Sequence, residues 1–277
     1  RRVQVNHHNK FVRRVFYRGS WTLGGRVHGG FWQQIKEERT NILINDFRTV
    51  EQDYSGLHIN IAYGLEGLDP LEEDPYTVEP VFNVTTQEQR EWVKSLSLMV
   101  INAKDELSAI QAFRSAQPTG SLSKTFTNNQ IKLLIDAFKE KHHHIKDYIC
   151  SDQGVSFMNL DGKITSRVIN HFTNKREPIL SIHDSYICRE QFKDELNTVM
   201  NEVINELLHG YKINIKANKE VEDISSLTDK GIINVSKMKE HYLNRPKDLK
   251  RCEGYEARWE HHKEWLHTIE NPLYFRL

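Results

Sequence analysis

The spacing of apolar residues along the chain predicts a mixture of helices and strands. Apolar positions three or four residues apart are typical of amphipathic helices, and they recur over residues 56–67, 85–101, 104–113, 128–141, 162–172 and 191–208. Short apolar runs bounded by turn residues predict strands within residues 11–34, a pair of strands over 42–53 and a buried strand over 179–184. A last helix is expected around Trp259 and Trp265. Because strands and helices do not alternate regularly, we expect an α+β fold.

Local signals set the ends of several elements. Thr85 and Glu88 have the spacing of a capping box, so we expect a helix to begin there. Residues 69–75 are acidic and contain two prolines, which predicts a surface loop. The aromatic and glycine-rich residues 11–34 suit short strands and tight turns at which the backbone approaches another chain closely.

The composition is that of a folded protein with a sizeable core. Of the 277 residues, 38% are hydrophobic and 27% are charged, which argues against global disorder. No apolar run approaches the roughly 18 residues that a membrane span needs, and no segment resembles a signal peptide. The three cysteines are far apart and are interpreted as reduced thiols. We therefore expect a cytoplasmic protein, and leave open an association with a nucleoid, virus or plasmid, or an organellar location.

Charge is distributed unevenly along the chain, although 38 basic and 38 acidic residues cancel. Residues 1–36 contain eight Lys or Arg and no Asp or Glu, which leaves 30 basic and 38 acidic residues in the rest. Such a basic segment is typical of a polyanion-binding surface, but a solvated basic arm has the same composition. Charge alone therefore leaves both interpretations open.

Two acidic residues lie at the ends of predicted apolar strands. Asp53 is the last residue of the pair of strands over 42–53, and Asp184 is the last residue of the strand over 179–184. A carboxylate there costs desolvation free energy unless it is paired or binds a metal. Two such carboxylates repel each other, and divalent cations relieve the repulsion. A carboxylate pair that holds two Mg²⁺ ions is what in-line phosphoryl transfer requires. The alternative is one Asp that caps a helix and one core Asp whose hydrogen bonds are satisfied.

Basic and histidine residues give weaker signals. Arg90 and Lys94 lie at positions i and i+4 of a predicted helix, hence on one face, which could hold the phosphates of a nucleotide. Two basic residues at this spacing also occur on ordinary solvated surfaces. The histidine runs 142–144 and 261–262 lack the spacing of a zinc-binding helix, and we expect them to be surface residues.

Taken in chain order, these segments resemble the superfamily that joins family A DNA polymerases to single-subunit RNA polymerases of the bacteriophage and mitochondrial type. The resemblance spans residues 24–208. The run from Asp53 to His58 resembles motif A, Arg90 and Lys94 resemble motif B, and His183-Asp184-Ser185 resembles motif C. Further similar segments are Gly25-Arg26-Val27 and Gln33-Gln34-Ile35 before motif A, Asp74-Pro75-Tyr76 after it, and Asn159-Leu160-Asp161 before motif C.

The resemblance implies a right-hand polymerase palm, which is an antiparallel sheet with helices, joined to a reduced helical fingers subdomain. It divides the chain into three parts. Residues 1–84 hold the basic N-terminal segment and the first part of the palm, residues 85–154 the fingers, and residues 155–277 the second part of the palm and C-terminal helices. No segment resembles a thumb, so we expect a partner chain or an upstream region to supply one.

The resemblance also implies template-directed transfer of nucleotides from nucleoside triphosphates to a 3′-hydroxyl. Asp53 and Asp184 would hold two Mg²⁺ ions, or Mn²⁺, with the backbone carbonyl of Tyr54, and Lys94 would neutralise the leaving pyrophosphate. The implied nucleotide-binding residues are His58, Arg90, Lys94, Leu98 and Asn102. The implied template- or primer-binding residues are Arg26, Gln33, Gln34, Asp161 and His183.

Departures from the family pattern bear on which sugar is used. His58 stands where the DNA polymerases carry Glu, Leu98 where many carry an aromatic residue, and Asn102 where both branches usually carry Tyr. Motif C has Ser185 after the Asp, as in the RNA polymerases. We therefore expect an RNA-polymerase-like or primase-like enzyme that works on a DNA template with an RNA or DNA primer or product, away from membranes. The alternatives are a small family A-type DNA polymerase and a non-catalytic nucleic-acid-binding subunit on the same fold.

Overall fold

The computed structural model describes residues 9–45 and 47–217, together with residues 228–229, 232–233, 257 and 260. Within residues 9–217 the α-helices are α1 Leu57–Leu65, α2 Thr86–Asn102, α3 Glu106–Ala116, α4 Asn128–Lys141, α5 Gly154–Asn174 and α6 Lys193–Leu207. The strands are β1 Val12–Phe16, β2 Gly24–Gly29, β3 Leu43–Ile44, β4 Phe47–Tyr54, β5 Leu180–Ile182, β6 Ser185–Arg189 and β7 Ile215–Ala217. The short strands β8 Thr228–Asp229 and β9 Ile232–Ile233 pair with each other. The α+β expectation is confirmed.

Strand β4 is the centre of a five-stranded antiparallel sheet. One edge of β4 pairs with β6, and β6 pairs with β5 in a tight hairpin. The other edge is shared, since β3 pairs with the start of β4 and β7 pairs with its end. The register places Asp53 opposite Ser185 of β6 on one side and opposite Lys216 of β7 on the other.

The two faces of the sheet are covered to different extents. Tyr54 and Tyr186 point into the main core, where their rings meet edge to face and the Tyr54 hydroxyl donates to the carbonyl of Met200. Because side chains alternate along a strand, Asp53 lies on the opposite face. There the core is a small cluster around Trp32, whose indole N–H donates to the carbonyl of Ser181. The face that carries Asp53 is therefore only partly covered by the chain.

Helices α2, α3 and α4 pack around side chains that are fully buried, among them Val93, Leu96, Phe113, Ile131 and Phe138. The predicted cap at Thr85 explains where α2 begins, and a cap that was not predicted marks the start of α4. The Thr85 hydroxyl accepts a hydrogen bond from the backbone N–H of Glu88, and Thr127 and Gln130 form a full capping box at the start of α4. The amphipathic pattern therefore located this helical region correctly.

Helix α5 was predicted too short, because it begins at Gly154 rather than at residue 162. Gly162 looked like a helix start, but the structure places it in the middle of α5, against the hairpin of β1 and β2. A Cβ atom at Gly162 would overlap the carbonyl oxygen of Gly25, so the glycine is required by close packing. Asp161 consequently lies inside the helix instead of at its beginning.

The predictions for the cysteines, the last helix and membrane spans concern residues that the structure describes only in part. Cys150 and Cys188 are free thiols, and burial raises their pKa values to about 11 and about 12. Cys252 and the predicted helix around Trp259 and Trp265 lie outside the described residues. No helix in the described segments combines the length and apolar character needed to cross a membrane.

We predict that Gly162→Ala destabilises the protein, although Ala has the higher helix propensity. Propensity alone would stabilise α5 by up to about 1 kcal/mol. The overlap with the Gly25 carbonyl should reverse the sign and cost about 1–3 kcal/mol. Thermal or denaturant unfolding measures the difference, with Lys163→Ala on the exposed side of α5 as the control. A Gly162→Ala protein as stable as wild type would contradict this packing.

Candidate active site

Asp53 and Asp184 come together where β4 meets the β5–β6 turn. Asp53 is the last but one residue of β4, and Asp184 lies in the turn between Ile182 and Ser185. The backbone N–H of Tyr54 donates to the carbonyl of Asp184 at 3.1 Å, so the two segments are joined next to both carboxylates. The sequence placed both residues at strand ends, and the antiparallel register brings those ends to one place.

The two carboxylates are held in a partly buried and negatively charged environment. Burial, followed by the charges of Asp184 and Glu51, raises the pKa of Asp53 to about 7. Burial, followed by the charge of Asp161, also raises the pKa of Asp184. No ion pair with either carboxylate is found among the described residues. Negative charge on the pair is therefore costly in the fold itself, which favours a bound cation.

The neighbouring acids, in contrast, each have a cationic partner. Glu51 lies 3.2 Å from Arg39 and accepts a hydrogen bond from the Ser185 hydroxyl at 2.7 Å. The two carboxylates of the site are thus distinguished from the acids around them.

Two lysines, one on α2 and one on β7, lower the pKa of Asp53. Lys94 extends from α2, and Lys216 lies on β7 directly across from Asp53 on the same face of the sheet. Both side chains are exposed, and neither has an ion pair within the described part of the chain. Lys94 was predicted from the sequence, whereas Lys216 was missed. The alternation of Tyr211, Ile213 and Ile215 with polar residues was the signal that could have revealed β7.

Arg90 is engaged differently from Lys94, although the sequence grouped them. Its guanidinium binds Asp74 through Nε at 2.8 Å and Nη2 at 2.5 Å, and lies over the Tyr76 ring at 5.5 Å. Burial, followed by the charge of Asp184, raises the pKa of Tyr76 to about 12, so this ring stands beside the carboxylates. The predicted phosphate ligand Arg90 therefore holds the loop 74–76 in place.

His142 lies beneath the same loop. Its imidazole is fully buried, with Nδ1 3.0 Å from the Tyr63 hydroxyl and Nε2 2.9 Å from the Pro75 carbonyl. Burial lowers its pKa to about 4. The expectation that residues 142–144 are all surface histidines was wrong at this position, because a histidine with partners at both ring nitrogens can be buried neutral.

Arg26, Asp161 and His58 form a buried cluster between β2, α5 and α1. Arg26 donates through Nε to the fully buried Asp161, and its Nη2 lies 3.2 Å from His58 Nε2. Burial, followed by the charge of Arg26, lowers the pKa of His58 to about 4, so the imidazole is neutral and Nε2 can accept from Arg26. Two predicted template ligands and one predicted nucleotide ligand thus bind one another.

The remaining predicted residues are divided between structural and exposed positions. Gln33 accepts from the N–H of Gly29 and donates to the carbonyl of Ser181, so it joins β2 to β5. Gln34 is exposed.

His183 has a positive φ of 54°, and the centroid of its ring lies 5.5 Å from the centroid of the His28 ring. Burial lowers the pKa of His183 to about 4. Leu98, 55% exposed, and Asn102 follow Lys94 along α2, and Asn102 donates to the Leu98 carbonyl at 2.6 Å.

The donor set suits a hard divalent cation held by few protein ligands. Within the segments that the structure describes, no three His, Cys, Asp or Glu side chains are grouped to hold a metal ion. The available donors are the carboxylates of Asp53 and Asp184 with nearby backbone carbonyls, which are the oxygen ligands that Mg²⁺ accepts while it keeps several waters. The pKa of Asp53, raised by burial and then by the neighbouring acids, fits the same interpretation, because a cation would stabilise the charged carboxylate.

Comparison with known proteins gives a fold likeness only. No protein-family model and no curated protein matches the chain. Among solved structures, the POL domain of Pol1 from M. smegmatis, in complex with DNA primer–template and dNTP, is similar with a TM-score of 0.47 and 15% sequence identity. The similarity covers 72% of this chain and 45% of that one, so this chain spans less than half of that neighbour's length. The functional interpretation therefore depends on the side chains of this protein.

We predict that Asp53→Asn stabilises the metal-free protein. The pKa of Asp53 is about 7 in the folded chain against an ordinary value of 3.8, so the folded state loses stability as the pH rises through this range. With a chelator present at about pH 8, the variant should be more stable by about 1–2 kcal/mol, and the difference should vanish near about pH 4. Denaturant unfolding across this range measures it.

The exposed Asp69→Asn serves as the control, since its charge lies in a solvated loop and should have no comparable effect. An Asp53→Asn variant that is less stable than wild type at every pH would show that the carboxylate is satisfied within the fold.

Proposed function

We propose that this protein is a template-directed nucleic acid polymerase, which transfers nucleotides from nucleoside triphosphates to a 3′-hydroxyl. The observation that carries the proposal is the pair Asp53 and Asp184, joined at one end of an antiparallel sheet and without an ion pair among the described residues. Lys94 and Lys216 flank the pair with the positive charge that a triphosphate requires. The sheet with α5 and α6 would be the palm, and α2–α4 the reduced fingers.

In the reaction, the 3′-hydroxyl loses its proton to water and attacks the α-phosphorus, and the bond from that phosphorus to the pyrophosphate oxygen breaks. Asp53 and Asp184, with the carbonyl of Tyr54, would hold two Mg²⁺ ions, which make the hydroxyl more acidic and stabilise the pyrophosphate. Lys94 approaches from α2 and would neutralise or protonate the leaving pyrophosphate. Lys216 approaches from β7 and would bind the phosphates from the opposite side.

The ion pairs around the site suggest indirect roles for other residues. Arg90 bound to Asp74 would fix Tyr76 beside the carboxylates, and Arg26 bound to Asp161 would fix the hairpin of β1 and β2 above them. His58 is bound to Arg26, so it would influence the selection of the nucleotide sugar only together with Arg26. The departures at His58, Asn102 and Ser185 favour an RNA-polymerase-like or primase-like enzyme, with a thumb supplied by a partner chain or an upstream region.

Primer extension with two nucleotide pools tests the proposal. Wild-type protein is incubated with Mg²⁺, a labelled primer–template and either ribonucleotides or deoxyribonucleotides. We expect extension mainly from the ribonucleotide pool, and a loss of about a thousandfold or more in Asp53→Asn and in Asp184→Asn because the metal ligands are removed.

Asp69→Asn should extend like wild type. Extension from deoxyribonucleotides alone would favour a small DNA polymerase. A folded wild-type protein that binds primer–template but extends with neither pool would instead indicate a non-catalytic nucleic-acid-binding subunit.

Lys216 provides a second test that does not depend on sugar choice. We predict that Lys216→Ala raises the KM for the nucleotide about tenfold, since a charge-assisted phosphate contact is lost. Lys216→Arg should recover most of the affinity. Lys212→Ala, an exposed lysine just before the strand, should change nothing. An unchanged KM in Lys216→Ala would remove this residue from the nucleotide site.

A further inference from the structure

The hairpin formed by β1 and β2 exposes large aromatic side chains. Trp21 is 80% exposed, Phe11 62% and Tyr17 39%. Within the described residues, these three are the only aromatic members of the set of exposed large hydrophobic side chains. Together with Arg13 they are called the hairpin surface below. Burying such rings usually contributes much of the free energy of a contact, so their joint exposure points to a binding surface.

The exposure of Trp21 is fixed by buried hydrogen bonds. Asn159 on α5 is 5% exposed and donates through Nδ2 to the carbonyls of Trp21 and Gly24, at 2.9 and 3.0 Å. The ring of Phe16 meets the indole edge to face, with centroids 4.7 Å apart. The backbone that carries Trp21 is therefore anchored to the core of the protein while its indole remains outside.

A second contact fixes the turn of the hairpin. Arg18 donates both terminal nitrogens to Asp152, just before α5, at 2.5 and 2.9 Å. Because the Arg18–Asp152 ion pair is exposed to solvent, it contributes little to the free energy of folding. Its bidentate geometry nevertheless sets the direction of the turn. The hairpin surface is thus pre-organised, which reduces the entropy cost of binding.

The charge on the hairpin has one sign. Residues 9–35 contain five Lys or Arg and no acidic residue. Arg13 pairs in register with His28, so both lie on one face of the hairpin, and the ring of His28 packs against His183, next to Asp184. The face that runs from the hairpin surface to the candidate active site therefore carries Arg13 and two imidazoles whose pKa values are lowered.

Exposed rings among arginines select between classes of partner. Duplex nucleic acid offers phosphates to arginine, but its base faces are stacked and cannot reach an indole. Unpaired nucleotides offer both the phosphate and the base face, which is the combination used by single-strand binding surfaces. Protein interfaces are also enriched in aromatic residues and arginine, so the feature that favours a polyanion is the absence of any acidic residue over 9–35.

We propose that the hairpin surface binds single-stranded nucleic acid, with bases stacked on Trp21 and Tyr17 and phosphates on Arg13. If the proposed polymerase function is correct, the bound strand is the unpaired template near the active site. Only this identification of the strand as template rests on the polymerase function. The binding itself requires neither nucleotide nor metal.

Fluorescence anisotropy with the full chain and a chelator tests the binding. The probes are a labelled single strand of roughly 20 nucleotides and the matching duplex. Wild type should prefer the single strand. Trp21→Ala should weaken single-strand binding about tenfold, and Trp21→Phe should retain most of it, because stacking needs an aromatic face.

Arg13→Ala should reduce the salt dependence of log Kd by about 0.7, as expected for one lost phosphate contact to a single strand. Leu122→Ala, which removes a hydrophobic side chain 57% exposed outside the hairpin, is the matched control and should bind like wild type.

Three results would overturn the proposal. One is single-strand binding by Trp21→Ala equal to that of wild type, with both proteins folded by circular dichroism. Another is a wild type that binds duplex as tightly as single strand. The third is a change of oligomeric state in Trp21→Ala by light scattering, which would assign the surface to a second copy of the chain. A protein that binds single strands through Trp21 but extends no primer would refute the polymerase function alone.

Discussion

The burial of two neighbouring carboxylates, Asp53 and Asp184, is the constraint on which the centre of this structure depends. Both carboxylates are partly desolvated, and burial raises the pKa of each. The acids around them are paired with arginines, as Glu51–Arg39, Asp74–Arg90 and Asp161–Arg26. These ion pairs leave Asp53 and Asp184 as the two acids of this region without an ion pair among the described residues.

Helix α5 connects this centre to the hairpin. Asn159, Asp161 and Gly162 lie within one turn of the helix, and each meets the hairpin by a different means: hydrogen bonds to backbone carbonyls, an ion pair with Arg26, and direct backbone packing. These contacts hold the hairpin against α5, because a buried ion pair is costly to break. The hairpin that carries Trp21 is therefore connected to the centre of the site through α5.

The sequence predicted the elements better than the partners of their side chains. Helix α2 follows from periodicity and the cap at Thr85, and Asp53 and Asp184 follow from a charge at the end of an apolar strand. The pairing of Arg90 with Asp74 and of Arg26 with Asp161 could not be predicted, because a basic residue looks the same in sequence whether it binds a ligand or an acid of its own chain. Gly162 was misjudged for a similar reason, since a glycine that permits close packing resembles one that lies at a helix boundary.

The shared edge of β4 has a consequence for the order of folding. The strand that carries Asp53 is completed by β6 and β7, which are synthesised after the whole helical region α2–α5. Pairings of such high sequence separation close large loops and form late, whereas helices form from local contacts. During synthesis on the ribosome, the helical region can therefore become structured while the two aspartates are still far apart, and the site is assembled only when the chain up to β7 has emerged.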